Sequence, residues 1–318
     1  VSPLPGFGLR ARATDLGYGA GWRAVRLMPE RMAAGAFRAG ADIAARRESS
    51  AAGRGEAGQL RRNLARVLGR PAAQVPDELV RDALRSYARY WREAFRLPSM
   101  DHVRLAADPR LRLTGLEHLD AALARGRGVI LALPHSGNWD IAGMWLVQQH
   151  GQFSTVAERL RPESLFERFV AYRESLGFEV FPLTGGEQPP FQLLAERLRA
   201  NRIVCLLSER DLQRHGVAVT FFDGRTRFAA GPARLAVETG AALLPVGSWF
   251  TDIAGEGEGW GFRVGAPIDT TGGVPAATQL LADEFATDIA AHPADWHMLQ
   301  PLWLGDLTDA RLERIGEG

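Results

Sequence analysis

An α/β fold is what this 318-residue sequence predicts: an open, mostly parallel sheet that later strands can make mixed, flanked by helices and preceded by an N-terminal helical segment. Three observations predict it. From about residue 111 short β-rich runs alternate with amphipathic runs of helix length. Residues 20–98 instead keep a helical period. Apolar residues make up 46% of the chain, enough to cover both faces of a sheet.

In chain order, Trp22, Val25, Met28 and Met32 recur at helical spacing with Arg23, Arg26 and Arg31 between them. Residues 59–68 and 79–95 are two further helical stretches. Strands are expected at 129–133, 154–157, 179–182, 203–207, 217–222, 243–249 and near 260–264. Between the first four lie helices near 138–150, 163–177 and 190–200. Pro190 and Pro232 suit first turns of helices, where a missing N–H costs nothing. Strand–helix–strand alternation implies right-handed crossovers and parallel strands. The organisation read from this is a helical segment over 1–105, packed on the core and facing a membrane, and one α/β unit over 106–318.

Charge is polarised. All 38 basic residues are arginine. Residues 1–100 carry 18 arginines against 9 acids, and residues 101–318 carry 20 against 28. A basic segment seeks an anionic membrane surface or nucleic acid. No helix-turn-helix, zinc or RNA-binding signature accompanies the charge, so nucleic acid is not the expected partner. The single cysteine, Cys205, excludes a disulfide framework. No HExxH or cysteine pair suggests a metal, and no G-x-S-x-G suggests a serine hydrolase. No apolar run reaches membrane-spanning length, and the N-terminus does not read as a signal peptide.

In open α/β sheets ligands bind beyond the carboxyl ends of the parallel strands. His135 follows strand 129–133; Glu158 and Arg159 follow 154–157; Thr184 to Glu187 follow 179–182; Glu209, Arg210 and Asp211 follow 203–207. These polar groups should share one edge. His135 is the candidate general base. Asp140 and Glu209 compete to orient it. Five helical residues subtend about 140°, so Asp140 reaches His135 only if the histidine lies in the loop before the helix. Glu209 has no such restriction and is favoured, with Asp140 as a loop-shaping carboxylate. An ion pair of Glu209 with Arg210 or Arg173 is the structural alternative. His102, His118, His150 and His215 read as surface residues. His292 and His297 bracket Pro293 and Trp296, too far from any second motif to argue for a metal.

Several segments together resemble one family. They are Leu133-Pro134-His135-Ser136-Gly137-Asn138-Trp139-Asp140, Tyr172-Arg173 with Gly177 and Pro182, Ser208-Glu209-Arg210-Asp211-Leu212, Phe221-Phe222-Asp223-Gly224 with Gly231-Pro232-Ala233, and His292-Pro293-Ala294-Asp295-Trp296. The chain resembles the bacterial membrane-lipid acyltransferases that include the late enzymes of lipid A biosynthesis, and within them the branch acting on mannosides of phosphatidylinositol. The resemblance implies acyl transfer from a thioester to a hydroxyl, with His135, Asp140 and Glu209 catalytic and with Arg173, Glu158, Arg159, Arg210 and Asp211 towards substrate. It implies acyl-CoA, palmitoyl-CoA or similar, as co-substrate rather than cofactor. The implied acceptor is a glycolipid mannose hydroxyl, met at the cytoplasmic face of the cell membrane by a peripheral enzyme. The lipid A enzymes' apolar N-terminal anchor is not visible, which weakens a lipid A substrate. A catalytically dead lipid-binding protein is the reading outside enzymes. The sequence does not fix oligomeric state.

Overall fold

The computed structural model describes residues 21, 23–53, 57–158, 163–186, 188–213, 215–253 and 257–316. Trp22, Arg159 and Glu187 lie outside the described residues.

The N-terminal helices are α1 (Glu30–Ala52), α2 (Gln59–Val67), α3 (Asp77–Arg96) and the short α4 (His102–Ala106). Residues 23–27 form a helical stretch before them, ended ahead of Pro29. The residue before a proline is driven out of the helical region. Met28 and Met32 therefore do not share a helix with Val25, and the stripe expected on one face is split. Asp77 and Glu78 in the first turn of α3 and Arg96 in its last complement the helix dipole. Its Val80, Ala83, Ser86, Tyr90, Glu93 and Ala94 recur at three- and four-residue spacing and are buried. The middle of that stripe is polar, and those groups reach the site described below.

The main sheet has seven strands: β1 (Leu111–Thr114), β2 (Val129–Leu133), β3 (Ser154–Ala157), β4 (Glu179–Pro182), β5 (Ile203–Leu207), β8 (Ala242–Ile253) and β9 (Gly257–Val264), ordered β1-β9-β8-β2-β5-β3-β4. All neighbouring pairs are parallel except β8 with β9, so the sheet is mixed. The 217–222 run does not join it. β6 (Val217–Phe221) pairs with β7 (Gly224–Phe228) in a separate hairpin. Its turn residues Phe222 and Asp223 have φ of 46° and 58°. Such a turn suits hairpin twist but prefers Asn or Gly, so Phe-Asp carries no hairpin signal. β1 was not read from the sequence because four residues carry little period.

The connecting helices are α5 (Leu116–Ala124), α6 (Trp139–His150), α7 (Glu163–Ser175), α8 (Pro190–Arg199), α9 (Gly231–Thr239) and α10 (Gly273–Ala291), with α11 (Asp309–Ile315) last. β2 is buried along its whole length, as a central parallel strand must be. Val129, Leu131 and Leu133 enter one core with α5, α6 and α7. Ile130 and Ala132 enter the other with α8, α9 and α10. A period of two thus divides one apolar run between two layers.

Candidate active site

Pro134 ends β2, and a four-residue turn carries the chain into α6. Gly137 sits in that turn at φ 56°. A Cβ there would meet Ser248 Oγ at 2.4 Å and the Trp249 nitrogen at 2.8 Å. Only glycine combines the left-handed backbone with that approach. Asn138 then caps α6, its side-chain oxygen accepting from the Ile141 N–H at 3.1 Å. Its amide nitrogen donates to Glu93 on α3 at 2.7 Å, and Trp260 Nε1 donates to the same Glu93 oxygen at 2.9 Å.

This turn presents His135 at the carboxyl edge, its side chain 37% exposed. His135 Nδ1 lies 2.8 and 2.9 Å from the two oxygens of Glu209, and the His135 peptide N–H donates to Glu209 at 2.7 Å. Glu209 is fully buried. Burial alone would push its carboxyl up. The facing His135 charge, its ring hydrogen bond and its peptide N–H outweigh burial and bring the carboxyl below its ordinary value. Glu209 is therefore ionised and acceptor-only, so Nδ1 carries the hydrogen and the Nε2 lone pair is left to take a proton.

Asp140 does not touch His135. It is buried, accepts from Tyr90 of α3 at 3.0 Å, and pairs with Arg173 Nε of α7 at 3.1 Å. Arg173 is thus engaged by Asp140 and not by Glu209. Burial opposes the Arg173 charge, but Asp140 more than offsets it and holds the guanidinium protonated. Burial and the Asp140 charge raise the Tyr90 phenol. Glu158 follows β3 and is exposed; Arg210 and Asp211 follow Glu209 and are half-buried. Thr184 is exposed after β4.

Sequence reasoning missed the strap behind His135. The His297 peptide N–H donates to the His135 carbonyl at 2.7 Å, and the Gly137 N–H donates to the Asp295 carbonyl at 2.9 Å. Ser86 of α3 donates to the Asp295 carboxylate at 2.6 Å and lies 3.0 Å from His297 Nε2. The second carboxylate oxygen accepts from the Phe250 N–H at 3.0 Å. Because the Ser86 hydrogen is committed to Asp295, His297 Nε2 carries its own. Burial, then the His135 charge, push the His297 ring down to about 3, so it stays neutral. Sequence distance set His297 aside only as a metal ligand; the signal available for its place here was the adjoining His292–Trp296 segment. His102 and His118 are half-buried rather than surface residues, and the His102 ring lies 2.9 Å from the Leu97 carbonyl.

An apolar cavity opens beside this edge. It is bounded by Leu113, Phe262, Val246, Leu133, Cys205 and Thr155, one residue from each of six adjacent strands, and roofed by α6. At about 4.8 Å per strand the six strands extend roughly 24 Å. The cavity therefore runs across the strands. Trp139 lines it, and its ring stands 5.5 Å from that of His135. The Asp140–Arg173 pair is its charged border. Of α6, the walls are Trp139, Ala142, Gly143, Trp145 and Leu146. Ile141 and Met144 are wholly buried in the core.

The described residues include no helix long and apolar enough to cross a membrane. The family of bacterial lipid A biosynthesis acyltransferases matches residues 8–305. The phosphatidylinositol mannoside acyltransferase of Mycolicibacterium smegmatis is 62% identical over 309 residues, 97% of each chain. Those of two Mycobacterium tuberculosis strains are 61% identical over 304 residues, 95% of this chain and 92% of theirs. Likeness of this extent leaves one conclusion: the chain belongs to the bacterial lipid A biosynthesis acyltransferase family and is an acyltransferase.

Proposed function

We propose that the protein moves a long-chain acyl group, palmitoyl above all, from acyl-CoA to a mannose hydroxyl of a phosphatidylinositol mannoside. The observation that carries this reading is His135, its Nδ1 bound to buried Glu209 and its ring 5.5 Å from that of Trp139, which lines an apolar cavity. The names of the similar mycobacterial enzymes supply the acceptor.

In the proposed reaction Nε2 takes the proton of the acceptor hydroxyl as its oxygen attacks the thioester carbonyl. The tetrahedral intermediate collapses, the carbon–sulfur bond breaks, and the imidazolium returns its proton to the leaving thiolate. Glu209 stabilises the imidazolium and fixes the tautomer. Such base catalysis is worth about 10²–10⁴-fold. No covalent enzyme intermediate is required, because the thioester is already activated. Asp140 acts at one remove, tying the turn to Tyr90 and Arg173. Glu158 and Asp211 are assigned to the rim where the head group is received.

The acceptor is a lipid, so the protein has to work at a bilayer. Leu27 and Met32 are 83% and 62% exposed in a segment that also exposes Arg23, Arg26 and Arg31. Apolar side chains among cations suit the surface of an anionic membrane, as a peripheral contact on the cytoplasmic side, where acyl-CoA is supplied. The test is a radiolabelled acyl-CoA transfer assay against a panel of glycolipids. Transfer to a phosphatidylinositol mannoside that vanishes in His135→Ala is expected; transfer to none of them, or undiminished transfer by the variant, overturns the reading.

A further inference from the structure

The reaction proposed above gives no task to Glu93 of α3, whose carboxylate is 3% exposed. Its two oxygens serve different groups. Oε1 accepts from Arg89 Nε at 2.7 Å and lies 3.6 Å from Arg92 Nη2. Oε2 accepts from Asn138 Nδ2 at 2.7 Å and from Trp260 Nε1 at 2.9 Å. Both arginines are anchored elsewhere as well. Arg89 donates to the Gly259 carbonyl at 2.8 Å and lies 4.0 Å over the Phe250 ring, and Arg92 pairs with Glu258. Two buried cations thus fix the carboxylate against β8 and β9. A carboxylate that served only an arginine would meet its fork with both oxygens. Here one oxygen is kept for two neutral donors, and one of these belongs to the His135 turn.

Asn138 is fully buried, and its side chain is spent at both ends, Oδ1 on the first turn of α6 and Nδ2 on Glu93. The near end of the turn is fixed by β2, whose last residue Leu133 pairs with Leu207. Glu93 fixes the far end, three residues beyond His135. A segment this short, held at both ends, leaves His135 few backbone alternatives. Glu209 ties His135 to β5, whereas Glu93 ties the same turn to α3 and β9. Trp139, which lines the cavity, is the next residue after Asn138. The bond that places Asn138 therefore also sets the imidazole against the cavity wall. A displacement of about 1 Å in a reacting group can cost about 10²-fold in rate.

We propose that Glu93 is a positioning residue for acyl transfer, holding the His135 turn through Asn138 at the geometry in which the imidazole meets the acceptor hydroxyl. This rests on the general-base role proposed for His135. Glu93 acts through Asn138 and not on a reacting atom.

The experiment exchanges the two partners. Asn138→Asp still caps α6 but sets a second carboxylate against Glu93. Asn138→Asp combined with Glu93→Gln restores a hydrogen bond with donor and acceptor reversed and with the total charge of wild type. The single variant should lose about 10–10²-fold in kcat, with KM for palmitoyl-CoA and for the acceptor within about twofold, and the double variant should regain most of that loss. A kcat within about twofold of wild type in folded Asn138→Asp overturns the proposal. So does a double variant that recovers thermal stability but not kcat, which a merely structural role would give. Should Asn138→Asp fail to fold, Asn138→Ser, which caps α6 but is too short to reach Glu93, is read by the same kcat criterion. Proton NMR of the hydrogen on His135 Nδ1, assigned against His135→Ala, follows the turn without turnover. The signal should shift or broaden in Asn138→Asp and return in the double variant. A signal unaltered in Asn138→Asp overturns the positioning even where kcat falls. A wild type that transfers no acyl group while the signal follows the expected order sinks the reaction and not the positioning.

Discussion

Glu209 holds His135 twice, once through the ring at Nδ1 and once through the peptide N–H. A single carboxylate thus sets both the tautomer of the imidazole and the path of the turn that carries it. Removing the charge removes the first function and strains the second.

Glu209→Gln should lower kcat by about 10²–10⁴-fold with little change in acceptor KM, and His135→Ala should fall at least as far. Steady-state acyl transfer, with circular dichroism as the control for folding, measures this. Near-normal turnover in a folded Glu209→Gln protein would remove Glu209 from the mechanism.

Asp140→Ala should unfold more easily rather than turn over more slowly when folded. It leaves Arg173 buried with its charge unmatched, at a cost of about 3–5 kcal/mol. Adding Arg173→Met should recover much of that loss. Urea unfolding of the two single variants and the double variant gives the coupling; additive losses would show that the pair is not the source.

Acid should loosen the protein below neutrality, with His297 the main cause. Its ring is driven from 6.5 in the unfolded chain to about 3, so the fold keeps it neutral while the unfolded chain binds a proton. The stabilising contribution is present above 6.5 and is lost as pH falls towards 3, by at most about 1.4 kcal/mol per pH unit. Glu209, depressed below 4.5, adds a loss of the same sign below that value. Asp295, raised by burial, works in the opposite sense, its contribution fading as pH rises above 3.8. His297→Phe should flatten the slope of unfolding free energy between pH 6.5 and 4.5; an unaltered slope would mean that other groups drive it.

Chain length should be read by the cavity. Each methylene buried is worth about 0.8 kcal/mol, so palmitoyl-CoA should far exceed acetyl-CoA in kcat/KM. Ala142→Trp places an indole in the cavity wall and should move the preference to shorter donors while sparing the shortest. The same length profile in variant and wild type would separate the cavity from the acyl chain.

Membrane binding should need anionic lipid, fall as salt rises, and weaken when Arg23, Arg26 and Arg31 all become Glu. Co-sedimentation with liposomes of graded phosphatidylglycerol content tests this. Binding indifferent to both charge and salt leaves only the apolar contact of Leu27 and Met32.

The parts of the fold with a strong period were legible. β2, β3, β4 and β5 stand where the runs of the sequence put them, and the edge they share follows from their parallel order. His135 and Glu209 could be singled out because each follows a strand closely, and Asp140 because it lies five residues after His135 in the same segment. Ser86, Tyr90, Glu93 and His297 could not. Each is an ordinary residue of its own element, and only tertiary packing brings α3 and the C-terminal strap behind the turn. The cavity wall was not legible for a related reason. α6 is apolar on nearly every side, so it has no stripe by which Ala142 and Gly143 can be told from Ile141 and Met144.

The cavity across the sheet also bears on how the molecule is kept intact. It lies inside the same layer that supplies one of the two cores. A saturated chain occupying it would serve as core as much as cargo. Bound at a hundred times its dissociation constant, such a ligand adds about 2.7 kcal/mol to the resistance of the fold. The lifetime of the protein would then track the supply of its fatty donor, and proteolysis would fall first on molecules idle for want of lipid.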